Sequence, residues 1–422
     1  MSSLERMYQV ESAKILLKRG AARERSGPRI RVGRTVVLLG LTSLFTDLSS
    51  EAVNAILPLY LVYSVGLSPL QFGALDGINN GAAGLVRVLG GGLGDRLRRH
   101  KEVAALGYGL SALTRPLFLV VGRSFALIGG LVFVDRLGKG IRTAPRDALI
   151  SLSVPKERLG SAFGVHRALD TAGAMLGPLV AFAILRSAPD AYDAVFVVSF
   201  ASAVIGVGII VLLVPPDRRP APHEQPELTL ARAAELLRLP SFRRLSLVAT
   251  ALALATISDA FVYLRLQRSL SFDPRYLPLL FVGSACSYMA LAVPFGALAD
   301  RVGKRAVFLS GYAILAVVYV LLLTATSVEL LLLILPLFGA YYAATDGVLA
   351  AAASAALPEY ARGTGLSLLA SCTSLGRFAA SLAFGGVWVA LGADAAVGVF
   401  TAVLLLALAF AAHVLRRSPD AA

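Results

Sequence analysis

Acidic side chains within an otherwise apolar segment are the first candidates for chemistry in this sequence. Asp47 and Glu51 are four residues apart, with Ser50 and Asn54 beside them, so a helix would carry both carboxyl groups on one face. Burial disfavours the charged form of a carboxyl group, which lets such a group bind and release a proton near neutral pH. The pair therefore predicts a proton-binding site, and a purely structural role is the alternative.

A second apolar segment carries mainly basic side chains at helical spacing. Four of its charged residues would form one stripe along a helix, with Arg136 beside them: Asp135, Lys139, Arg142 and Arg146. The stripe is explained equally well by substrate binding or by a structural ladder of ion pairs with Asp170. If these apolar segments span a membrane, Arg136 is expected near its middle, as a counter-charge to the acidic pair.

Other polar residues interrupt apolar segments and extend this predicted site. The further candidates for a substrate-binding cavity are Asn54, Asp76, Asn80, His166, Arg167, Asp259, Tyr342, Asp346 and Arg377. His166 is either a proton relay or a neutral hydrogen-bonding group. Arg115 does not fit this set, and we expect it to lie toward the outer surface.

The composition identifies the elements that must position these residues. Of the 422 residues 57% are hydrophobic and only 16% are charged, more apolar surface than a soluble core could bury. A membrane-spanning helix needs about 20 apolar residues. The apolar runs predict an all-α integral membrane protein with twelve spans, at residues 35–65, 70–93, 103–122, 124–145, 160–185, 192–214, 244–267, 276–297, 305–326, 328–353, 362–389 and 395–415.

These runs divide the chain into five predicted parts. A polar segment at 1–34 precedes a six-helix bundle at 35–214, and a linker at 215–243 precedes a second bundle at 244–415 and a tail at 416–422. The linker is rich in proline, and Thr229 is predicted to cap a short amphipathic helix within it. The first 33 residues form either a surface helix on the inner leaflet or a solvated tail.

Basic residues are concentrated in alternate connections between the spans. This distribution predicts a multi-pass protein of the cytoplasmic (inner) membrane with both termini in the cytoplasm, and no cleaved signal peptide. The net charge of +14 is spread over these short loops, which argues against a nucleic-acid partner.

Several chemistries lack the residues that they need. The two cysteines, Cys286 and Cys372, lie in apolar runs and offer neither a disulfide framework nor a zinc site. The sequence has no phosphate-binding loop for ATP, and neither a metal-binding carboxylate cluster nor a histidine site for acyl transfer. We therefore expect no catalytic residues, no cofactor and no metal, and a membrane transferase is the least favoured class.

An internal repeat relates the two halves. The segment from Gly91 to Lys101 matches the segment from Gly296 to Ala306, with 205 residues between the aspartates at 95 and 300. Two weaker matches, 50–52 with 258–260 and 139–141 with 346–348, have nearly the same offset. The repeat predicts two six-helix bundles related by a pseudo-twofold axis along the membrane normal.

The repeated loop resembles the signature of the major facilitator superfamily (MFS) of transporters, and the resemblance covers nearly the whole chain. Its predicted gating residues are Gly91, Asp95, Arg96, Gly296, Asp300 and Arg301; Arg98 replaces the second glycine of the first copy, whereas Gly303 is kept in the second. The segment from Arg136 to Gly140 is similar to another family motif, with Lys139 in place of a glutamine. Gly164, Gly173, Gly177 and Pro178 resemble the motif of proton-coupled antiporters, although Ala181 and Phe182 replace its closing glycine pair.

The resemblance implies the MFS fold, in which helices 1, 4, 7 and 10 line a central cavity and helices 3, 6, 9 and 12 face lipid. It also implies that the repeated loops are conformational latches rather than substrate contacts. The expected function is secondary transport by alternating access, with protonation of Asp47, Glu51 or Asp170 coupled to export of a small organic solute. The expected partners are an anionic or zwitterionic solute, protons and membrane lipids, with the chain acting as a monomer; proton symport for uptake and transport of a lysolipid or other amphiphile are the alternatives.

Overall fold

The computed structural model describes residues 33–82, 99–155, 158–215, 235–358 and 361–416. Within these ranges the chain is helical and contains no strand. The first half comprises α1 (Arg34–Leu59), α2 (69–82), α3 (His100–Leu117), α4 (Phe125–Leu152), α5 (Leu159–Ser187) and α6 (Tyr192–Gly208). Short π-helical turns, Tyr60–Ser64 and Ile209–Leu213, extend α1 and α6.

The second half follows the same order, with one helix broken in two. It comprises α7a (Pro240–Leu254), α7b (Asp259–Leu270), α8 (Leu277–Val302), α9 (Lys304–Thr324), α10 (Leu331–Ala355), α11 (Arg362–Leu391) and α12 (Ala393–Arg416). Counting α7a and α7b as one, nine helices in the described ranges are long and apolar enough to cross a membrane. Charged side chains interrupt the apolar sequence of α4, which is long enough at 28 residues but is not among the nine.

Helix packing repeats between the halves. In the first half α1 packs on α5 and α6, while α3 packs on α4 and α6. In the second half α7a packs on α11 and α12, while α9 packs on α10 and α12. The halves meet where α5 packs on α8 and where α2 packs on α11. This correspondence confirms the predicted fold of two related helical bundles.

Two helices differ from their predicted spans. The second half of the predicted span 244–267 begins only after a break at 255–258, where the backbone leaves the helix. The hydroxyl of Tyr319 accepts a hydrogen bond from the Ile257 amide at 2.6 Å, replacing a helical partner that the break removes. The α4 helix continues to Leu152, seven residues beyond its predicted end.

Glycines bring α5 against α1 at backbone distance. A Cβ atom at position 173 would lie 2.2 Å from the Leu44 carbonyl oxygen, and one at position 177 would lie 2.7 Å from the Leu48 carbonyl oxygen. Gly206 on α6 similarly faces the Thr42 carbonyl oxygen. Small residues at these positions let the helices approach closely, which is the main source of attraction between helices in lipid.

We therefore expect Gly173→Ala to be strongly destabilising. The added methyl group would clash with backbone atoms of α1, which cannot rotate away, so the loss should be near the upper end of the range of about 1–3 kcal/mol for overpacking. Gly164→Ala is the matched control, because nothing lies within 4 Å of a Cβ there. Thermal melting in detergent measures both variants, and equal melting temperatures would contradict the packing argument.

Of the two copies of the repeated loop, the structure describes the second. Gly91, Asp95 and Arg96 lie outside the described residues, as do the segment 1–32 and the predicted Thr229 cap. In the second copy, Asp300 and Arg301 are exposed at the end of α8. Gly303 alone separates α8 from α9 and has a φ of +96°, a conformation that side chains with a Cβ rarely adopt.

Candidate functional site

A cavity of about 310 Å³ lies between the two halves. Its lining is mostly polar and comes from both halves: Glu51, Asn54, Asp76, Asn79, Asn80, Arg136, Thr256, Ile257, Ser258, Asp259, Ala260, Phe281, Tyr342, Arg377 and Ser381. Eight of the predicted substrate-site and proton-coupling residues belong to this lining. A polar cavity at the junction of two bundles suits a small hydrophilic solute.

One end of the bundle is closed above this cavity. We call the end with the α1–α2 and α7b–α8 connections the distal end, and the end with Gly33 and Arg416 the terminal end. At the distal end the Tyr63 hydroxyl donates to Gln267 at 2.5 Å, and Phe182 packs on Tyr276 with ring centroids 5.6 Å apart. Each of these contacts joins the two halves.

Four charged side chains in the middle of the bundle are partly exposed. The side chains of Glu51 and Lys139 are 28% and 36% exposed, and those of Asp346 and Arg377 are 50% and 37% exposed. All four lie well inside their helices.

The most deeply buried charges of the first half form a network around Asp135. The Arg115 guanidinium, 2% exposed, donates to Asp135 Oδ1 at 2.6 Å and to Ser50 on α1 at 3.0 Å. Arg136 pairs with Asp135 Oδ2 at 2.9 Å and donates to Asn54 at 2.9 Å. Arg115 lies in the last turn of α3 and links α1, α3 and α4 in the interior; its predicted position toward the outer surface stays a prediction.

Asp47 lies on the same face of α1 but has different partners. Arg142 donates to Asp47 Oδ1 at 3.2 Å, and the same guanidinium lies over the Tyr108 ring, 4.6 Å from its centroid. Ser43, one turn earlier, is 2.9 Å from His166 Nε2 and 3.3 Å from the Tyr108 hydroxyl. The network thus connects four helices through neutral and charged groups.

Asp170 on α5 completes an acidic pair with Asp47. The two carboxyl groups are close enough to interact electrostatically. Arg146 Nη1 is 3.6 Å from Asp170 Oδ1, and Arg146 also donates to Asp147 at 2.9 Å. Two like charges this close repel each other, and a proton on either carboxyl group would remove that repulsion.

Glu51 faces the cavity and has weaker partners. Lys139 Nζ is 3.5 Å from its Oε1, and Asn54 donates to its Oε2 at 3.1 Å. Arg136 therefore contacts Asn54 and Asp135, whereas Lys139 is the cation closest to Glu51. The stripe on α4 is a ladder of ion pairs to α1, α3 and α5, and Arg136 beside it also lines the cavity.

The second half contributes a separate set of charges. Asp259 begins α7b, directly after the break, and accepts a hydrogen bond from the Tyr342 hydroxyl of α10. Arg377 on α11 is 3.9 Å from Asp346, a loose contact. Arg136 Nε, which is buried, has no hydrogen-bond partner among the described residues. Both arginines thus retain hydrogen-bonding capacity for a bound solute.

Not every predicted residue reaches the cavity. Arg167 is exposed on α5, and Gly164 is open to its surroundings, whereas Gly173, Gly177 and Pro178 are buried in the α1–α5 contact. Ser43, Tyr108 and Ser381 were missed in the sequence, since hydroxyl groups in apolar helices are common. Arg115 carried a signal, a charge within an apolar span, but its partner could not be read from the sequence.

Comparisons with known proteins agree with this architecture. The family model described as Major Facilitator Superfamily matches residues 39–265 and 245–422. The MFS-type transporter MJ1317 of Methanocaldococcus jannaschii is 32% identical over 366 residues, which cover 85% of this chain and 89% of that protein. The protein Rv2265 of Mycobacterium tuberculosis is 33% identical over 165 residues, 39% of this chain and 40% of that protein.

Solved structures show the same fold at low sequence identity. A mutant form of the nucleoside transporter NupG superposes with a TM-score of 0.79 at 14% identity, covering 90% of this chain and all of that chain. A POT family transporter solved in complex with 5-aminolevulinic acid has a TM-score of 0.75 at 12% identity, covering 92% of this chain and 96% of that chain.

Proposed function

Since the chain belongs to the Major Facilitator Superfamily of membrane transporters, we propose that it exports a small organic solute across the cytoplasmic membrane in exchange for protons. The observation that carries this proposal is the proximity of two acids, Asp47 and Asp170, on helices that pack together. A proton-coupled transporter needs a group that binds a proton when it is open to one side of the membrane and releases it when it is open to the other. Two neighbouring carboxyl groups can provide such a group. The distal end then faces the outside and both termini face the cytoplasm.

Proton binding and solute binding are connected through α1. Asp47 and Glu51 lie one turn apart on this helix, and their cationic partners, Arg142 and Lys139, are neighbours on α4. Neutralising an acid at the Asp47–Asp170 pair weakens its attraction to Arg142 and changes the packing of α1 on α4. The equilibrium between the two access states therefore shifts with protonation.

The cavity lining supports an anionic or zwitterionic solute. Arg136 and Arg377 approach from opposite halves, and each has hydrogen-bonding capacity left over. Asp76 and Asp259 can accept hydrogen bonds or attract a cationic group. A volume of about 310 Å³ is at the small end of the range for ligand pockets, about 300–1,000 Å³.

The proposal is tested with purified protein in vesicles. Solutes that raise the melting temperature of the protein are first selected from a panel of metabolites. Each is then added to vesicles that contain the protein and a pH-sensitive dye. Exchange for protons moves the proton opposite to the solute, whereas symport, the alternative, moves both the same way. Solute movement without any proton movement would refute the coupling.

A further inference from the structure

Glycines on both helices bring α2 of the first half against α11 of the second half at the distal side. A Cβ atom on Gly73 would lie 2.4 Å from the Ser381 carbonyl oxygen, and one on Gly385 would lie 2.4 Å from the Pro69 carbonyl oxygen. Gly77 faces Phe378, whose nearest atoms would lie 3.0 Å from a Cβ there. The helices touch backbone to backbone, so this junction excludes water.

Asp76 is a carboxyl group on the cavity side of this junction. The residue is 7% exposed, Ser381 donates to its Oδ2 at 2.7 Å, and Asn80 donates to its Oδ1 at 3.2 Å. Ser258, at the start of α7b, lies near the same carboxyl group. These partners are all neutral, and among the described residues no lysine or arginine lies within ion-pair distance of Asp76.

The charged groups around Asp76 do not compensate it. Those that line the same cavity are Asp259 on α7b, Arg377 on α11, Glu51 on α1 and Arg136 on α4, together with the titratable Tyr342 on α10. Arg136 is engaged with Asp135, and Arg377 lies beside Asp346. Asp259, which is close enough to interact electrostatically, carries the same sign as an ionised Asp76.

An ionised carboxylate buried without a counter-charge is strongly unfavourable, whereas a neutral carboxylic acid with hydrogen-bond partners is not. The closed junction therefore suits a protonated Asp76, whose hydrogen bond with Ser381 joins the two halves. We propose that Asp76 is a second proton-binding site and that binding of a proton there holds the distal end closed. Loss of that proton favours separation of α2 and α11, because only water can then solvate the carboxylate.

This site gives the transport cycle a direction. When the distal end is open, Asp76 is hydrated and takes a proton from the distal side. Closure follows, and the proton leaves through the cavity toward the terminal end. The inference rests on alternating access in the proposed function, but it does not require the Asp47–Asp170 pair to be the coupling site.

The test measures the distal opening directly as a function of pH. Spin labels are attached to Ser64→Cys and Leu391→Cys, two exposed positions at the distal end of different halves, in a Cys286→Ser/Cys372→Ser background. Their separation is measured in lipid nanodiscs from mildly acidic to mildly alkaline pH. The expected result is a short distance in acid and a growing population of longer distances in alkali.

Asp76→Asn, which mimics the protonated acid, should keep the short distance throughout and lose the pH-dependent shift. Ser381→Ala should lower the closed population at every pH, and it provides a readout if Asp76→Asn does not fold. Each of three results would overturn the inference: a pH-dependent shift in distance that persists in Asp76→Asn, no such shift in the parent protein, or a closed population in Ser381→Ala equal to that of the parent. If Asp47→Asn alone abolishes the shift, the coupling function stands and the role of Asp76 fails. If coupled flux is absent while Asp76→Asn still abolishes the shift, the role of Asp76 stands and the proposed proton coupling fails.

Discussion

Arg115→Met is expected to destabilise the protein strongly. The guanidinium is almost completely buried and joins Asp135 to Ser50, so its removal leaves Asp135 with only part of its compensating charge. Breaking a buried ion pair by removing one partner typically destabilises by about 3–5 kcal/mol. Arg136 still contacts Asp135 at 2.9 Å, which places the expected loss toward the lower end.

A double substitution separates charge from packing. Arg115→Met combined with Asp135→Leu removes both charges of this pair, and buried ion pairs replaced by apolar residues are often neutral in stability. Arg136 loses Asp135 in the double variant but keeps its hydrogen bond to Asn54. The double variant should therefore recover part of the melting temperature that Arg115→Met loses. Arg123→Met, at an exposed position, is the control for loss of an arginine and should leave the melting temperature unchanged. No recovery in the double variant would show that Arg115 acts through packing instead.

The second large effect is expected from the acidic pair. Asp47→Asn and Asp170→Asn should each reduce proton-driven solute flux by about 5- to 150-fold, the usual range for coupling between two sites. An asparagine retains hydrogen bonding with its neighbour but cannot take up or release a proton. Solute exchange without a proton gradient should be retained, because the cavity lining does not include either residue.

Two measurements are needed for this prediction. Flux driven by an imposed pH gradient and solute counterflow at equal pH are compared in vesicles for the parent and each variant. Asp193→Asn, an exposed acid at the start of α6, is the matched control and should behave as the parent. Equal gradient-driven flux in Asp47→Asn, Asp170→Asn and the parent would exclude the pair as the coupling site.

The predicted proton-coupling set included Glu51 as well as Asp47 and Asp170, and the structure gives these acids different surroundings. Glu51 lines the cavity beside Lys139, whereas Asp47 faces Asp170 and Arg142. The sequence placed Asp47 and Glu51 on one face of a helix but could not assign their partners on helices distant in the chain. Their separate roles, like the division of the chain at 215–243, stay predictions.

The fold class was determined by features that the sequence carries locally. Apolar runs long enough to cross lipid, helical spacing of charges and a repeat offset of about 205 residues were sufficient to predict two six-helix bundles, because insertion in lipid depends on local composition. The break at 255–258, the burial of Arg115 and the placement of Asp76 against Ser381 were decided only by tertiary structure. Each depends on atoms from helices distant in the chain, and Asp76 and Ser381 are 305 residues apart. Periodicity shows which face of a helix is polar, but the partner of that face is set by how the helices pack.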